Sequence, residues 1–121
     1  MGRKLTLVFS IIALLLVAPA KTEEPAITLK LTPQVGYRPL SVKMRLSIKP
    51  DSRNVGWCLQ WFQRNAGGRH CEPLKGQHAR RIHLYTFKAS QVGDYGVYAI
   101  LFRMQGSEMT PIQSIHVIDN P

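Results

Sequence analysis

The residues able to do chemistry gather in one stretch. From Trp57 to Cys71 the chain reads WCLQWFQRNAGGRHC, which holds both cysteines, both tryptophans and His70. Thiols and imidazoles can ligate a metal, and Cys58, Cys71, His70, His78 and His83 are the set to test. Zinc sites favour C-x2–4-C or H-x3–5-H spacing. Among these residues only His78 and His83 meet it. A disulfide would withdraw both thiols, so the reading is no metal site and no cofactor. Nucleophilic chemistry fares no better. Ser90, Ser107 and Ser114 fall in ordinary strand or turn contexts, and no G-x-S-x-G is present. The acids offer no evident pair on adjacent strands, and Glu23-Glu24 falls in a polar N-terminal segment. No catalytic residue is assigned, and the expectation is a protein that is not an enzyme.

The compartment bears on the cysteines. The chain opens MGRKLTLVFSIIALLLVAPA, a basic start, an apolar run from Leu5 to Val17, then Ala18-Pro19-Ala20. This pattern predicts a secretory signal over residues 1–20, cut after Ala20. The run is short of the roughly 20 residues that span a bilayer. Residues 21–121 are then a single exported domain, periplasmic or extracellular, with no transmembrane anchor. Two cysteines in an exported chain predict one disulfide, Cys58–Cys71, with two free thiols as the alternative. Closing a loop of this size is worth about 3 kcal/mol in the chain-entropy model.

Elements that must position this stretch read as strands. Ala26 to Thr32 alternates Ile27, Leu29 and Leu31 against Thr28, Lys30 and Thr32. Leu40 to Lys49 alternates Val42, Met44, Leu46 and Ile48 against Lys43, Arg45, Ser47 and Lys49. Period two is the signature of a half-buried strand. Val55 to Gln63 is a third strand. Arg64 to Arg69 is read as a loop with Gly67-Gly68 at its tip, and His70 to Leu74 as a short return. Arg80 to Phe87, Asp94 to Met104 and Pro111 to Ile118 complete about seven strands, with connectors at 33–39, 50–54, 75–79, 88–93 and 105–110. No segment keeps a 3.6-residue apolar period. Short strands at intervals of roughly 8–14 residues predict an all-β antiparallel sandwich.

Two motifs resemble known families. GYRPLSV, from Gly36 to Val42, is similar to the entry to the second strand of PKD-like domains. VGDYGVYAIL resembles the G-x-Y-x-V of that family at Gly93, Tyr95 and Val97, and also the immunoglobulin D-x-G-x-Y-x-C at Asp94, Gly96 and Tyr98. The resemblance implies an immunoglobulin-like, PKD-like sandwich. The chain departs from both patterns. Trp61-Phe62-Gln63-Arg64 replaces the PKD acidic turn, and Ile100 stands where an immunoglobulin cysteine would. The two motifs imply opposite registers for the sixth strand. The PKD-like one faces Tyr95, Val97, Ala99 and Leu101 to the core. The immunoglobulin one faces Gly96, Tyr98, Ile100 and Phe102 inward and makes Tyr98 a tyrosine corner. The first is preferred, because it brings Arg103 into phase only at the strand end, where it can snorkel.

Charge supplies the remaining candidates. The net charge is +9, or +7 once Arg3 and Lys4 leave with the signal. With the first, second and fifth strands in one sheet, Lys30, Lys43, Arg45, Lys49 and Arg81 form a basic face, with His83 and Tyr85 in the same phase. Such a face could hold an anionic polymer. Arg64, Arg69 and His70 form a candidate binding loop. Trp61 and Tyr95 are assigned to the core, and Trp57 is either buried or presented. The functional expectation is a small exported, non-catalytic binding module of adhesion type, contacting a protein, a surface glycan or another anionic polymer. The alternatives are a secreted inhibitor or effector using the Arg64–His70 loop, and a carbohydrate-binding module. Nucleic acid is a poor match for an exported domain.

Overall fold

A computed structural model of the chain describes residues 24–64, 66–75 and 79–121. The expected signal peptide over 1–20 and His78 lie outside the described residues. Nine strands follow in order: β1 (Ile27–Thr32), β2 (Val35–Tyr37), β3 (Leu40–Ile48), β4 (Asn54–Gln63), β5 (Ala66–Pro73), β6 (Ile82–Ala89), β7 (Gly93–Arg103), β8 (Ser107–Met109) and β9 (Gln113–Ile118). They form an all-β sandwich. One sheet runs β1-β3-β6. The other runs β2-β9-β7-β4-β5, with β8 also paired to β7. The first, second and fifth of the expected strands share a sheet. Two three-residue strands, β2 and β8, arise where connectors were expected. Because β2 pairs with β9 in parallel, the second sheet is mixed rather than wholly antiparallel.

The alternating patterns decide which faces meet. On β3, Val42, Met44, Leu46 and Ile48 are buried and the residues between them point out. On β7, Tyr95, Val97, Ala99 and Leu101 are buried. Trp57 and Leu59 of β4, Phe87 and Ala89 of β6, and Ile115 and Val117 of β9 join them in one core. The register of β7 is therefore the PKD-like one. The opposite register would have buried Gly96 in place of a large side chain and exposed Leu101. The Tyr95 hydroxyl accepts a bond from the Gln91 amide at 3.0 Å, so Tyr95 anchors the preceding turn. Tyr98 instead points outward and donates to Gln60 Oε1 at 2.9 Å.

The β3–β4 turn is closed by side chains. Asn54, buried, donates from Nδ2 to the Lys49 carbonyl at 3.1 Å. Arg53 grips Asp51 through its guanidinium and its own amide. These bonds hold the Asp51 carboxyl well below the usual carboxylate range.

The expected loop between Gln63 and His70 is a correction. β4 and β5 are a hairpin whose register runs from Gly56↔Pro73 to Gln63↔Ala66. Gly67 and Gly68 are paired strand residues, not a tip. A Cβ at Gly68 would overlap the indole of Trp61, so glycine is needed for that ring to lie across the strand. A Gly-Gly pair signals a turn in sequence, but here it makes room for an aromatic neighbour.

Candidate functional site

The sandwich presents two outer faces with different chemistry. On the three-stranded sheet, Lys30 of β1 lies directly opposite Arg45 of β3, and Thr32 opposite Lys43. On the other side Lys43 faces Thr86 and Ser41 faces Lys88 of β6. Lys30, Lys43, Arg45 and Lys88 are all exposed. Two of the expected members fall elsewhere. Lys49 and Arg81 lie at one end of the sheet, around a hollow that Glu24 also lines. His83 and Tyr85 do not point out with the cations, as their phase was read. That phase also contains Phe87 and Ala89, which are buried, so core burial turns His83 and Tyr85 inward.

The outer face of the larger sheet is apolar around β4, β7 and β8. Cys58 of β4 pairs with Ile100 of β7, which in turn pairs with Met109 of β8. Gln60 pairs with Tyr98 and Phe62 with Gly96. The rings of Phe62 and Tyr98 meet edge to face at 6.1 Å, and Gly96 leaves the space that Phe62 occupies. Phe62 and Met109 are exposed, and Ile100 and Phe102 are half-exposed.

Within this apolar face sits the disulfide. Cys58 and Cys71 are direct cross-strand partners and are bonded to each other. Their surroundings differ. Cys58 is 5% exposed, whereas Cys71 is open to solvent on the edge strand. Arg69 lies two residues from Cys71 on the same outer side of β5, and its Nη2 stands 3.4 Å from Cys58 Sγ. Beside the bond is a hollow of about 290 Å³, lined in part by Val55, Gly56, Phe102 and Pro73.

The expected binding-loop residues therefore do not converge. Arg64 occupies the hairpin turn, Arg69 bonds the disulfide on the outer face, and His70 points inward. His70 stacks on Tyr85 with centroids 3.9 Å apart and bonds Glu72 at 3.1 Å. Trp57 is fully buried between His70 and His83, at 5.7 and 5.6 Å. Its Nε1 and the Nε2 of His83 have no hydrogen-bond partner among the described residues. Trp61 is only partly buried and stacks on Phe87 at 4.6 Å, so Trp57, not Trp61, is the deeper of the two indoles. Tyr95 is in the core.

The sequence reading missed Arg69 as a partner of the disulfide, and the signal was available. Once Cys58 and Cys71 are placed opposite each other, residue 69 must share their face because a strand has period two. Reading 64–69 as a loop hid that relation.

No protein-family model and no curated protein matches the chain. Among solved structures, the superoxide reductase (neelaredoxin) of Ignicoccus hospitalis matches with a TM-score of 0.58 and 17% identity, over 75% of this chain and 80% of that one. At that identity the likeness is one of fold. It nevertheless corrects the functional expectation. The sandwich was read as a non-catalytic binding module because it offered no hydrolytic site. A sandwich of the same fold belongs to a reductase, so neither that module nor the absence of enzymatic activity is carried further. Among the described residues, no three His, Cys, Asp or Glu side chains come together where a metal could sit. A redox-capable group among the described residues is the Cys58–Cys71 disulfide.

Proposed function

We propose that this chain is an exported redox protein whose working group is the Cys58–Cys71 disulfide, exchanging with thiols of a partner polypeptide. The observation that carries this reading is the asymmetry of the bond. Cys71 is exposed on the edge strand and Cys58 is buried, so an incoming thiolate has the more open approach to Cys71. Attack at Cys71 forms a mixed disulfide there and releases Cys58 as a thiolate. The Arg69 guanidinium already lies against that sulfur, where it offsets the charge that develops. Exchange is faster when the departing sulfur is stabilised as an anion.

A second thiol on the partner then attacks the mixed disulfide. The partner dithiol is oxidised to a disulfide and loses two electrons. Cys58 and Cys71 gain both electrons and are left as two thiols. A low-molecular-weight disulfide in the exported compartment returns them to the bonded state. The apolar face around the bond, with Phe102, Ile100 and Met109, suits an extended or partly unfolded polypeptide better than a small charged thiol. The fold's occurrence in a reductase is consistent with redox work on this scaffold.

The test is the rate at which a dithiol such as dithiothreitol reduces the folded protein, followed by alkylation and mass measurement. Arg69→Ala should slow reduction about tenfold, corresponding to about 1.4 kcal/mol in the barrier, with an unchanged melting temperature. A bond that opens only when the protein unfolds, or equal rates for both proteins, would reject the reading and leave a purely structural crosslink.

A further inference from the structure

The outer face of the β1-β3-β6 sheet carries an independent inference. Its outward side chains on β1 and β3 are Thr28, Lys30, Thr32, Ser41, Lys43, Arg45 and Ser47, and Lys88 of β6 lies beside Ser41 on the same face. Among the described residues no acid stands on it. Of the described acids, Asp51 is held by Arg53, Glu72 bonds His70, Asp94 bonds His116, and Asp119 pairs with Arg38. Glu108 accepts a bond from the Ala26 amide at 3.0 Å, and Glu24 lies in the hollow at the sheet's end. Acids are thus spent at turns, edges and ends, while this face keeps its charge uncompensated.

One pair makes the point sharply. Lys30 and Arg45 are direct cross-strand neighbours. Like charges in that position destabilise a sheet by a few tenths of a kcal/mol. A solvated face meant only for solubility would interleave both signs. Hydroxyl side chains alternate with the cations on β1 and β3, and the apolar side chains, Leu84 beside Arg45 and the partly exposed Ile82 beside Ser47, are confined to the edge strand β6.

We infer that this face docks a linear anionic polysaccharide, its acidic groups on Lys30, Lys43, Arg45 and Lys88 and its hydroxyls against the Thr and Ser side chains. The alternatives fit the chemistry less well. A bilayer surface would call for several apolar or aromatic side chains beside the cations, to enter the headgroup layer. A single-stranded nucleic acid would call for aromatic rings on which bases stack, and among the described residues this face has none. Along a strand, cations two residues apart are spaced by about 6.8 Å, and across the sheet they step diagonally, from Lys30 and Arg45 through Lys43 to Lys88. A band of evenly spaced cations of this kind suits a repeating polymer. The face lies on the opposite side of the sandwich from the disulfide, so a bound polymer would leave the bond accessible.

Dextran sulfate is the probe, with affinity measured at several salt concentrations. Lys43→Glu with Arg45→Glu should weaken binding at least about thirtyfold and make the dependence on salt shallower. Arg64→Glu with Lys75→Glu changes net charge equally but lies off the face, and should cost less than about threefold. Should the charge-reversed protein fold poorly, Lys43→Gln with Arg45→Gln gives the same ordering with a smaller loss. Equal losses in face and control variants would overturn the inference. So would tighter binding to vesicles rich in anionic lipid, or to single-stranded DNA, than to dextran sulfate. None of these outcomes depends on Arg69 or on the state of the disulfide, so the polymer face and the redox reading fail separately.

Discussion

The two outer faces of this sandwich are built from the same strand geometry and put to opposite uses. On β1 and β3 every second residue is polar or charged, and on β6 only Leu84 and Ile82 interrupt that face. On the larger sheet the outward residues include Phe62, Tyr98, Ile100, Phe102 and Met109, and the face is irregular and apolar around the disulfide. The difference teaches that burial alone does not explain outward side chains. Strand β7 carries apolar residues on both sides, yet only one side meets the core. The other is covered only partly, by Met109 and by the Phe62 ring. A sheet face left in that condition is a place where another chain can add contacts.

Three changes would break or sharpen this comparison. The largest effect is expected from Cys58→Ser with Cys71→Ser, which should lower unfolding free energy by about 3 kcal/mol, measured by urea denaturation. If the loss is near zero, the bond is not stabilising the hairpin, and its purpose is chemical alone. Next, Phe62→Ala should cost about 1 kcal/mol, because a partly exposed ring loses its contact with Tyr98. A neutral result would mean that the apolar face is indifferent to its own packing. The smallest effect has the opposite sign. Lys30→Glu places an acid across from Arg45 and should stabilise the fold by about 0.5 kcal/mol, while weakening attachment to dextran sulfate. Destabilisation instead would show that the basic grid belongs to the fold and carries no cost.

Where the sequence spoke clearly, it did so through period two. The alternation in β3 set its inner and outer faces, and the preferred register of β7 followed from letting Arg103 reach solvent at the strand end. What stayed hidden depended on neighbours that are distant in sequence. Gly67-Gly68 has the composition of a turn, and only the presence of Trp61 across the ladder makes it a strand. His83 has the polarity of a surface residue, and only its place in phase with Phe87 turns it inward. Val35–Tyr37 is too short to show a pattern and forms because β9 offers it an open edge. The chemistry was harder still to read. Nothing in the order of residues 58–71 states that one cysteine is covered and its partner exposed, because that depends on which strand ends the sheet.

The first strands also have a mechanical consequence. β1 belongs to one sheet and β2 to the other, and β2 lies parallel to β9. Tension applied before β1 and after β9 would therefore pull these two neighbours in opposite directions along their length. The bonds from His116 N to the Gln34 carbonyl and from Arg38 N to the Ile118 carbonyl would be loaded together, in shear, rather than opened one after another. A three-residue strand that adds little to the core thus becomes the latch that decides how the sandwich yields when it is stretched.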